Sequence, residues 1–359
     1  MTFDLPFIST NNSSPVKNHL VVLIHGVNGK GTDFDYIATE IKLTANDTLD
    51  VQQPLCNQGV SHDGIKICAE RYLHWIQNYI ELNPHIDSIS FIGHSLGGIY
   101  ARCLVGLLHH HQIIPKVLTP IYFIALSAPH ITPDWHMGKT LNAKALKLII
   151  GQSGKDLATT DAIGSDNDPI LLELSKPHYT NVLLLFTKIM TYANIRSDPV
   201  VEYGNANLTR YHYCNHKAKL KFKDVKLPYV FEHEDPIELI PQHQINSIQD
   251  EMLNNLMCLP WTRYAIIPSR PILAHADMIV RFKKHSLKHG KRIVEHIASH
   301  FEPHILEHND SASTMNTDSN LSDYRNSTGV AIPSQILGRN LDNFRSHSCD
   351  SYRTNNTFF

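Results

Sequence analysis

Ser88-Ile89-Ser90-Phe91-Ile92-Gly93-His94-Ser95-Leu96-Gly97-Gly98-Ile99 reads as a short apolar strand that turns sharply into a helix, with a serine at the turn. Gly93 to Gly97 fit G-x-S-x-G, a pattern that a chance match also produces, so the setting decides the reading. Here a strand-like run precedes it and a helix-like stretch, Ile99 to Leu108, follows. Such a turn forces Ser95 into a strained backbone conformation and lifts its hydroxyl above the sheet at the start of the helix. Gly93 and Gly97 let neighbouring backbone pass where a Cβ would clash. Ser95 is therefore the candidate nucleophile.

Similar apolar runs lie on both sides. Leu20-Val21-Val22-Leu23-Ile24 is continuous and rich in branched side chains, the pattern of a strand buried on both faces of a parallel sheet. Further strands are expected near Thr48 to Val51, Ile121 to Leu126, Ile189 to Asn194 and Tyr264 to Ile267. Helical spacing of Ile65, Cys68, Tyr72, Trp75, Ile76 and Tyr79 predicts a helix over Gly64 to Ile80, and another helix is expected from about Met278. This alternation predicts an α/β fold with a mostly parallel central sheet flanked by helices.

Residues 131–180 break the alternation and are expected to form a cap over the site, with a helix at Ala143 to Ile150 and a polar segment from Gly151 to Asp168. A surface excursion with no part in substrate binding is the alternative. Residues 1–18 read as a flexible lead, 19–305 as the catalytic domain, and 306–359, poor in apolar residues, as a mostly disordered tail.

The whole chain has 359 residues, 42% of them hydrophobic, enough for one large core. Lys and Arg number 32 against 34 Asp and Glu, which gives no global pull toward nucleic acid. Six scattered cysteines form no C-x-x-C pair and no dense framework, as expected of free thiols in a reducing compartment. The N-terminus lacks the basic and apolar regions of a signal peptide, and no apolar run is long enough to span a bilayer. An intracellular protein is expected, cytoplasmic or peripheral on a membrane or lipid droplet.

A serine hydroxyl needs an adjacent base, and that base needs an acid to hold its tautomer. In the chain order serine, acid, histidine, Asp198 and His275 fit. Asp198 lies in the turn-like Ser197-Asp198-Pro199-Val200 after one candidate strand, and His275 follows the last strand by a short loop. With 24 histidines in the chain, position and not residue type selects His275. Asp277 is too near His275 in sequence to serve it and reads as a helix-start residue. For the oxyanion, the N–H of Leu96 follows from its place after the nucleophile, and the N–H of Val27, in His25-Gly26-Val27-Asn28-Gly29, is the second candidate.

His109-His110-His111 lacks a companion carboxylate or cysteine at ligand spacing and reads as a solvated helix end, so neither metal nor cofactor is expected. Gly29-Lys30-Gly31-Thr32 misses the spacing of a phosphate loop. Alternating Lys217, Lys219, Lys221 and Lys223 read as protection of a sheet edge, with docking on anionic lipid as the alternative; Arg281, Lys283, Lys284, Lys288, Lys291 and Arg292 form a second basic cluster.

Beyond the elbow, several strings carry a family resemblance: His25-Gly26, Asp63-Gly64-Ile65 through Cys68 to Glu70-Arg71, Ala128-Pro129-His130, Ser153-Gly154-Lys155-Asp156-Leu157, Tyr192-Ala193-Asn194, Asp198-Pro199-Val200 and Ala274-His275. With them, residues 19 to about 302 resemble the intracellular serine esterase and lipase family of the α/β-hydrolases, which includes fungal lipid-droplet and monoglyceride lipases. The resemblance implies the α/β-hydrolase fold and hydrolysis of acyl-lipid esters, and its triad pattern falls on Ser95, Asp198 and His275. The chain departs from the family at Val27-Asn28, where an aromatic-containing loop is usual, and at Thr132, where glycine is usual. A thioesterase or acyltransferase would use the same nucleophile, and a catalytically idle scaffold is the reading from another class.

Overall fold

The computed structural model describes residues 17–132, 151–162, 167–196, 198–210, 222–225, 227–234, 247–268, 270, 273–282 and 288–303. All of them fall within the unit Met1–Ser313; the unit Thr314–Phe359, which holds most of the expected tail, lies outside the described residues. The expected helix at Ala143 to Ile150 also lies outside them.

Eight strands form one sheet in the order β2-β1-β3-β4-β5-β8-β7-β6. These are β1 (His19–Ile24), β2 (Asp50–Gln52), β3 (Ser88–His94), β4 (Thr119–Leu126), β5 (Lys188–Asn194), β6 (Phe222–Asp224), β7 (Val230–His233) and β8 (Trp261–Ile266). Every pairing from β2 across to β8 is parallel, while β7 and β6 add antiparallel at one edge. The α/β-hydrolase fold expected from the elbow and its neighbouring strands is thus observed, with a mostly parallel sheet between two helical layers. β2 begins two residues later than expected and β8 three residues earlier.

Strand geometry explains the two layers, since successive side chains point to opposite faces. Leu20, Val22 and Ile24 pack with α2 (Ile65–Leu82) and α3 (Leu96–His110). Val21 and Leu23 face the other way, among Ile37 and Ile41 of α1 (Asp35–Thr44) and Ile293, Val294 and Ile297 of α10 (Lys288–Ser299). A strand sandwiched in this way favours a continuous apolar run, which Leu20 to Ile24 supplies, while the buried His19 at its start meets Ser90 Oγ at 2.8 Å.

Three expectations need correction. The segment after Gly151 is not simply polar loop: residues 151–157 are helical and are the described part of α4. The helix expected from Met278 starts later, as α10: Met278 to Val280 form a turn, residues 283–287 lie outside the described residues, and a separate single turn, α9 (Ala274–Asp277), contains His275 itself. Asp277 accordingly closes a helical turn instead of starting one. One turn offers too few residues for apolar periodicity to register.

Two of the family-like strings meet through α4. Asp156 Oδ2 accepts the Ile65 N–H at 2.7 Å and Ser153 Oγ accepts the Gly64 N–H at 3.1 Å, so α4 caps the N-terminus of α2 from outside that helix. Ser153 Oγ also donates to the Ser61 carbonyl at 3.0 Å. The remaining described helices are α5 (Ile170–Glu173), α6 (Pro177–Leu183), α7 (Tyr203–Ala206) and α8 (Ile248–Met257). Among the described residues, no helix is long and apolar enough to cross a membrane.

Packing at the elbow leaves no room for side chains. A Cβ on Gly97 would run into the Ile24 carbonyl and lie 2.8 Å from the His25 carbonyl carbon. Gly97→Ala is expected to destabilise the chain by about 3 kcal/mol, because backbone and not a mobile side chain stands in the way. The urea midpoint of the variant against wild type measures this, and a difference near zero would refute the close approach.

Candidate active site

Ser95 joins the end of β3 to the first residue of α3, with φ 56° and ψ −134°. Left-handed φ is costly for a residue with a Cβ, so the strain predicted for the turn is present at the serine itself. The conformation is held from both sides: the Ser95 N–H donates to the Leu126 carbonyl at 2.9 Å, and the Gly98 N–H donates to the Ser95 carbonyl at 3.0 Å. A Cβ on Gly93 would stand 2.6 Å from the Gly98 Cα, so the two arms of the elbow touch.

The loop after β1 passes directly over this turn. At Gly26 an added Cβ would be 2.9 Å from Ser95 Cβ and 3.1 Å from the Leu96 nitrogen. Val27, next in the chain, is half-buried, and Leu96 opens α3, where a backbone N–H has no partner within the helix. His25 is buried, its Nδ1–H donates to the Gly26 carbonyl at 2.9 Å, and burial lowers its pKa. Asn28 anchors the far side of the loop: its N–H donates to Ser61 Oγ at 2.9 Å and its side-chain oxygen meets His62 Nε2 at 2.8 Å.

Asp198 and His275 are brought together. His275 Nδ1–H donates to Asp198 Oδ2 at 3.1 Å, with the side chains 15% and 2% exposed respectively. Asp198 also accepts the Asn194 amide on Oδ2 at 2.9 Å, and the Val200 and Val201 N–H groups on Oδ1 at 2.9 and 3.1 Å. Burial alone pushes this carboxyl up, but the His275 charge and these donors outweigh it and hold the pKa down at about 2. With Nδ1 committed to the aspartate, the Nε2 of a neutral His275 carries the free lone pair. Among the hydrogen bonds of the described residues none joins Ser95 Oγ to His275, the third contact of a triad.

One residue that sequence reasoning passed over ties the two halves together. His94, adjacent to Ser95, donates from Nε2–H to the His275 backbone carbonyl at 2.8 Å, and the two rings lie 4.6 Å apart between centroids. Burial, followed by the nearby His275, pulls the His94 pKa down to about 3, so the ring is neutral at neutral pH. Only the identity of the variable position in G-x-S-x-G pointed to it, and that position carries no general requirement. Asn194 was within reach of the sequence, since it stands in the family-like string Tyr192-Ala193-Asn194.

Other candidate groups have plainer places. His109 and His110 close α3, and among the described residues no group of three or more histidine, cysteine or carboxylate side chains is arranged to hold a metal. Lys223 lies on the edge strand β6, while Lys217, Lys219 and Lys221 fall outside the described residues, as do Lys283 and Lys284. Arg281 is engaged within the fold, its Nε 3.1 Å from Asp33 Oδ1 and its Nη2 3.4 Å from the Asn28 carbonyl.

Comparison with known proteins gives a family and a set of relatives. The profile of a family described as "Putative serine esterase (DUF676)" matches residues 14–210, more than half of the chain. "Putative lipase YDL109C" of Saccharomyces cerevisiae is 27% identical over 248 residues, covering 66% of this chain and 38% of that protein. "Putative lipase C4A8.10" of Schizosaccharomyces pombe is 24% identical over 268 residues, covering 70% and 32%. The chain thus spans about a third of the length of these curated relatives. Among solved structures, carboxyl esterase 2 of Tuber melanosporum is 12% identical with a TM-score of 0.41, covering 80% of this chain and 78% of its own. The RedJ thioesterase of Streptomyces coelicolor is 12% identical with a TM-score of 0.40, covering 80% and 91%. On the family match, which takes in both the elbow and Asp198, the chain belongs to the family described as "Putative serine esterase (DUF676)".

Proposed function

We propose that this protein is a serine hydrolase of carboxylic esters, acting on acyl lipids, with Ser95 as nucleophile, His275 as general base and acid, and Asp198 as the group that orients His275. The observation that carries the proposal is the hydrogen bond from His275 Nδ1–H to the buried Asp198 carboxylate, with the His275 carbonyl accepting from His94, the neighbour of the strained Ser95. Family membership and the relatives' names support the same chemistry.

In this reading Ser95 Oγ attacks the ester carbonyl carbon and its proton passes to His275 Nε2. The carbonyl electrons move onto the oxygen, where the N–H groups of Val27 and Leu96 hold the negative charge. Collapse breaks the bond to the alcohol, which leaves with the proton from His275. Water repeats the sequence on the acyl-enzyme and releases the acid. Residues 131–180 are proposed as the cap, and a peripheral position at a lipid surface would bring the substrate to it.

Turnover of p-nitrophenyl esters of short and long acyl chains, and of monoacylglycerol, tests the reading. Hydrolysis is expected, with the longer chains preferred; failure to hydrolyse any of them would favour a scaffold role for the fold.

His94 provides a finer test. His94→Leu removes the donor to the His275 carbonyl, and kcat is expected to fall by about tenfold or more with KM within roughly twofold, since the base is displaced and not the binding surface. His94→Gln retains an N–H donor and should recover most of that loss. Equal activity of the two variants would contradict a positioning role.

A further inference from the structure

Arg102 is the largest fully buried side chain of the described residues, with no exposed surface. It stands on α3, seven residues after Ser95, hence two turns and about 10 Å along the same helix face. Long side chains on a helix generally lean toward its N-terminus, here the end that carries the nucleophile. One donor is used: Nη2 donates to the His130 carbonyl at 3.1 Å. Nε and Nη1 have no partner, and among the described residues no carboxylate pairs with the guanidinium.

The surroundings compound the anomaly. His130 is also fully buried, with both ring nitrogens unpartnered and its ring centroid 5.4 Å from that of Trp261. Burial, and then the Arg102 charge, drive its pKa well below the ordinary value, so the imidazole is neutral. Thr132, two residues on, is 3% exposed and its hydroxyl is likewise unpartnered. An uncompensated buried cation costs several kcal/mol even after relaxation, and a guanidinium does not escape by losing its proton. Burial lowers Arg102 only to about 9, which leaves it charged at neutral pH.

We propose that Arg102, His130 and Thr132 form a buried binding site for a singly charged phosphate. The unused groups define the ligand by complementarity. Arg102 contributes a positive charge and N–H donors in a planar fork suited to oxyanions. His130, being neutral, offers one N–H donor and one lone pair, and Thr132 offers a hydroxyl. A phosphate group with one negative charge, dihydrogen phosphate or a monoprotonated monoester, matches this set: its unprotonated oxygens accept from Arg102, His130 and Thr132, a P–OH donates to the imidazole lone pair, and its single charge balances the guanidinium. A carboxylate has no donor for that lone pair. The phosphate is either free or carried by the ester substrate, whose glycerol unit would bridge the site and Ser95; the second source rests on the hydrolase reading, the site itself does not.

Thermal unfolding of the full chain, titrated with inorganic phosphate against chloride at matched ionic strength, tests the site. Wild type is expected to show a saturable rise of about 5 °C near a hundredfold excess over Kd. Arg102→Met and His130→Phe, the latter keeping an aromatic ring against Trp261, should abolish the rise. If Arg102→Met does not fold, His130→Phe and phosphorus NMR of phosphate binding to wild type carry the test. No saturable binding to wild type, or an undiminished rise in the variants that fold, would overturn the proposal. The source is read on wild type alone. Inorganic phosphate that raises KM for a monoacylglycerol phosphate but not for monoacylglycerol indicates a substrate-borne group, and equal KM values for the two esters indicate free phosphate. Absence of any ester turnover would defeat the hydrolase reading while leaving the phosphate titration as an independent measure of the site.

Discussion

Ser95→Ala is expected to lower kcat on p-nitrophenyl esters by roughly 10⁴ to 10⁶-fold, leaving only the residual rate that the oxyanion donors and binding supply. The fold should survive, because the Ser95 side chain caps no helix and the hydrogen bonds that hold the elbow are made by its backbone. Asp198→Asn is expected to cost about 10⁴-fold for a reason specific to this site. Both carboxylate oxygens already accept from two donors each: Asn194 and His275 on one, the Val200 and Val201 N–H groups on the other. Whichever way an asparagine amide turns, its NH₂ faces donors, and the His275 tautomer is no longer fixed. Steady-state kinetics on one ester, with circular dichroism to establish folding, measure both effects. Activity within tenfold of wild type in folded Ser95→Ala would contradict the role of that residue.

A second large effect concerns acid. His19, His94, His130 and His296 are all at most 6% exposed. Burial lowers their pKa values, to about 4, about 3 and about 4 for His19, His94 and His296, and well below the ordinary value for His130. In the unfolded chain each returns to about 6.5, so the unfolded state binds more protons at mildly acidic pH. The stability these neutral rings contribute is present above about pH 6.5 and is lost as pH falls toward their folded values. One unit below the unfolded pKa, each costs about 1.4 kcal/mol, so the four together remove about 5 kcal/mol between about pH 7.5 and 5.5. That is a large part of the stability of an ordinary domain. Urea midpoints across this range, in phosphate-free buffer, should fall steeply; a flat profile would contradict the buried neutral state of these rings.

The sheet was legible where burial on both faces leaves continuous apolar runs. β1, β3, β4 and β5 lie where Leu20 to Ile24, Ser88 to Ile92, Ile121 to Leu126 and Ile189 to Asn194 placed them. β7 was not legible, and β6 only as the sheet edge suggested by the lysines that end at Lys223: at three and four residues, on an antiparallel edge, the two strands bury too little surface to impose an apolar pattern. α8 escaped notice although Ser247 accepts the Asp250 N–H as an N-cap and Met252, Leu253 and Leu256 recur at helical spacing. Ser95, Asp198 and His275 could be proposed from chain order and turn context, because a nucleophile elbow restricts where its partners can lie. The link from His94 to the His275 carbonyl, like the burial of Arg102, depends on segments far apart in the chain and has no local signature.

The central claim is that Ser95 is an activated nucleophile, and covalent labelling by a fluorophosphonate tests it without any assumption about the substrate. The labelled protein, digested and analysed by mass spectrometry, should carry one adduct on Ser95 in wild type, a strongly slowed reaction in Asp198→Asn, and none in Ser95→Ala. An unlabelled wild-type protein, or an adduct that persists at another residue in Ser95→Ala, would contradict it.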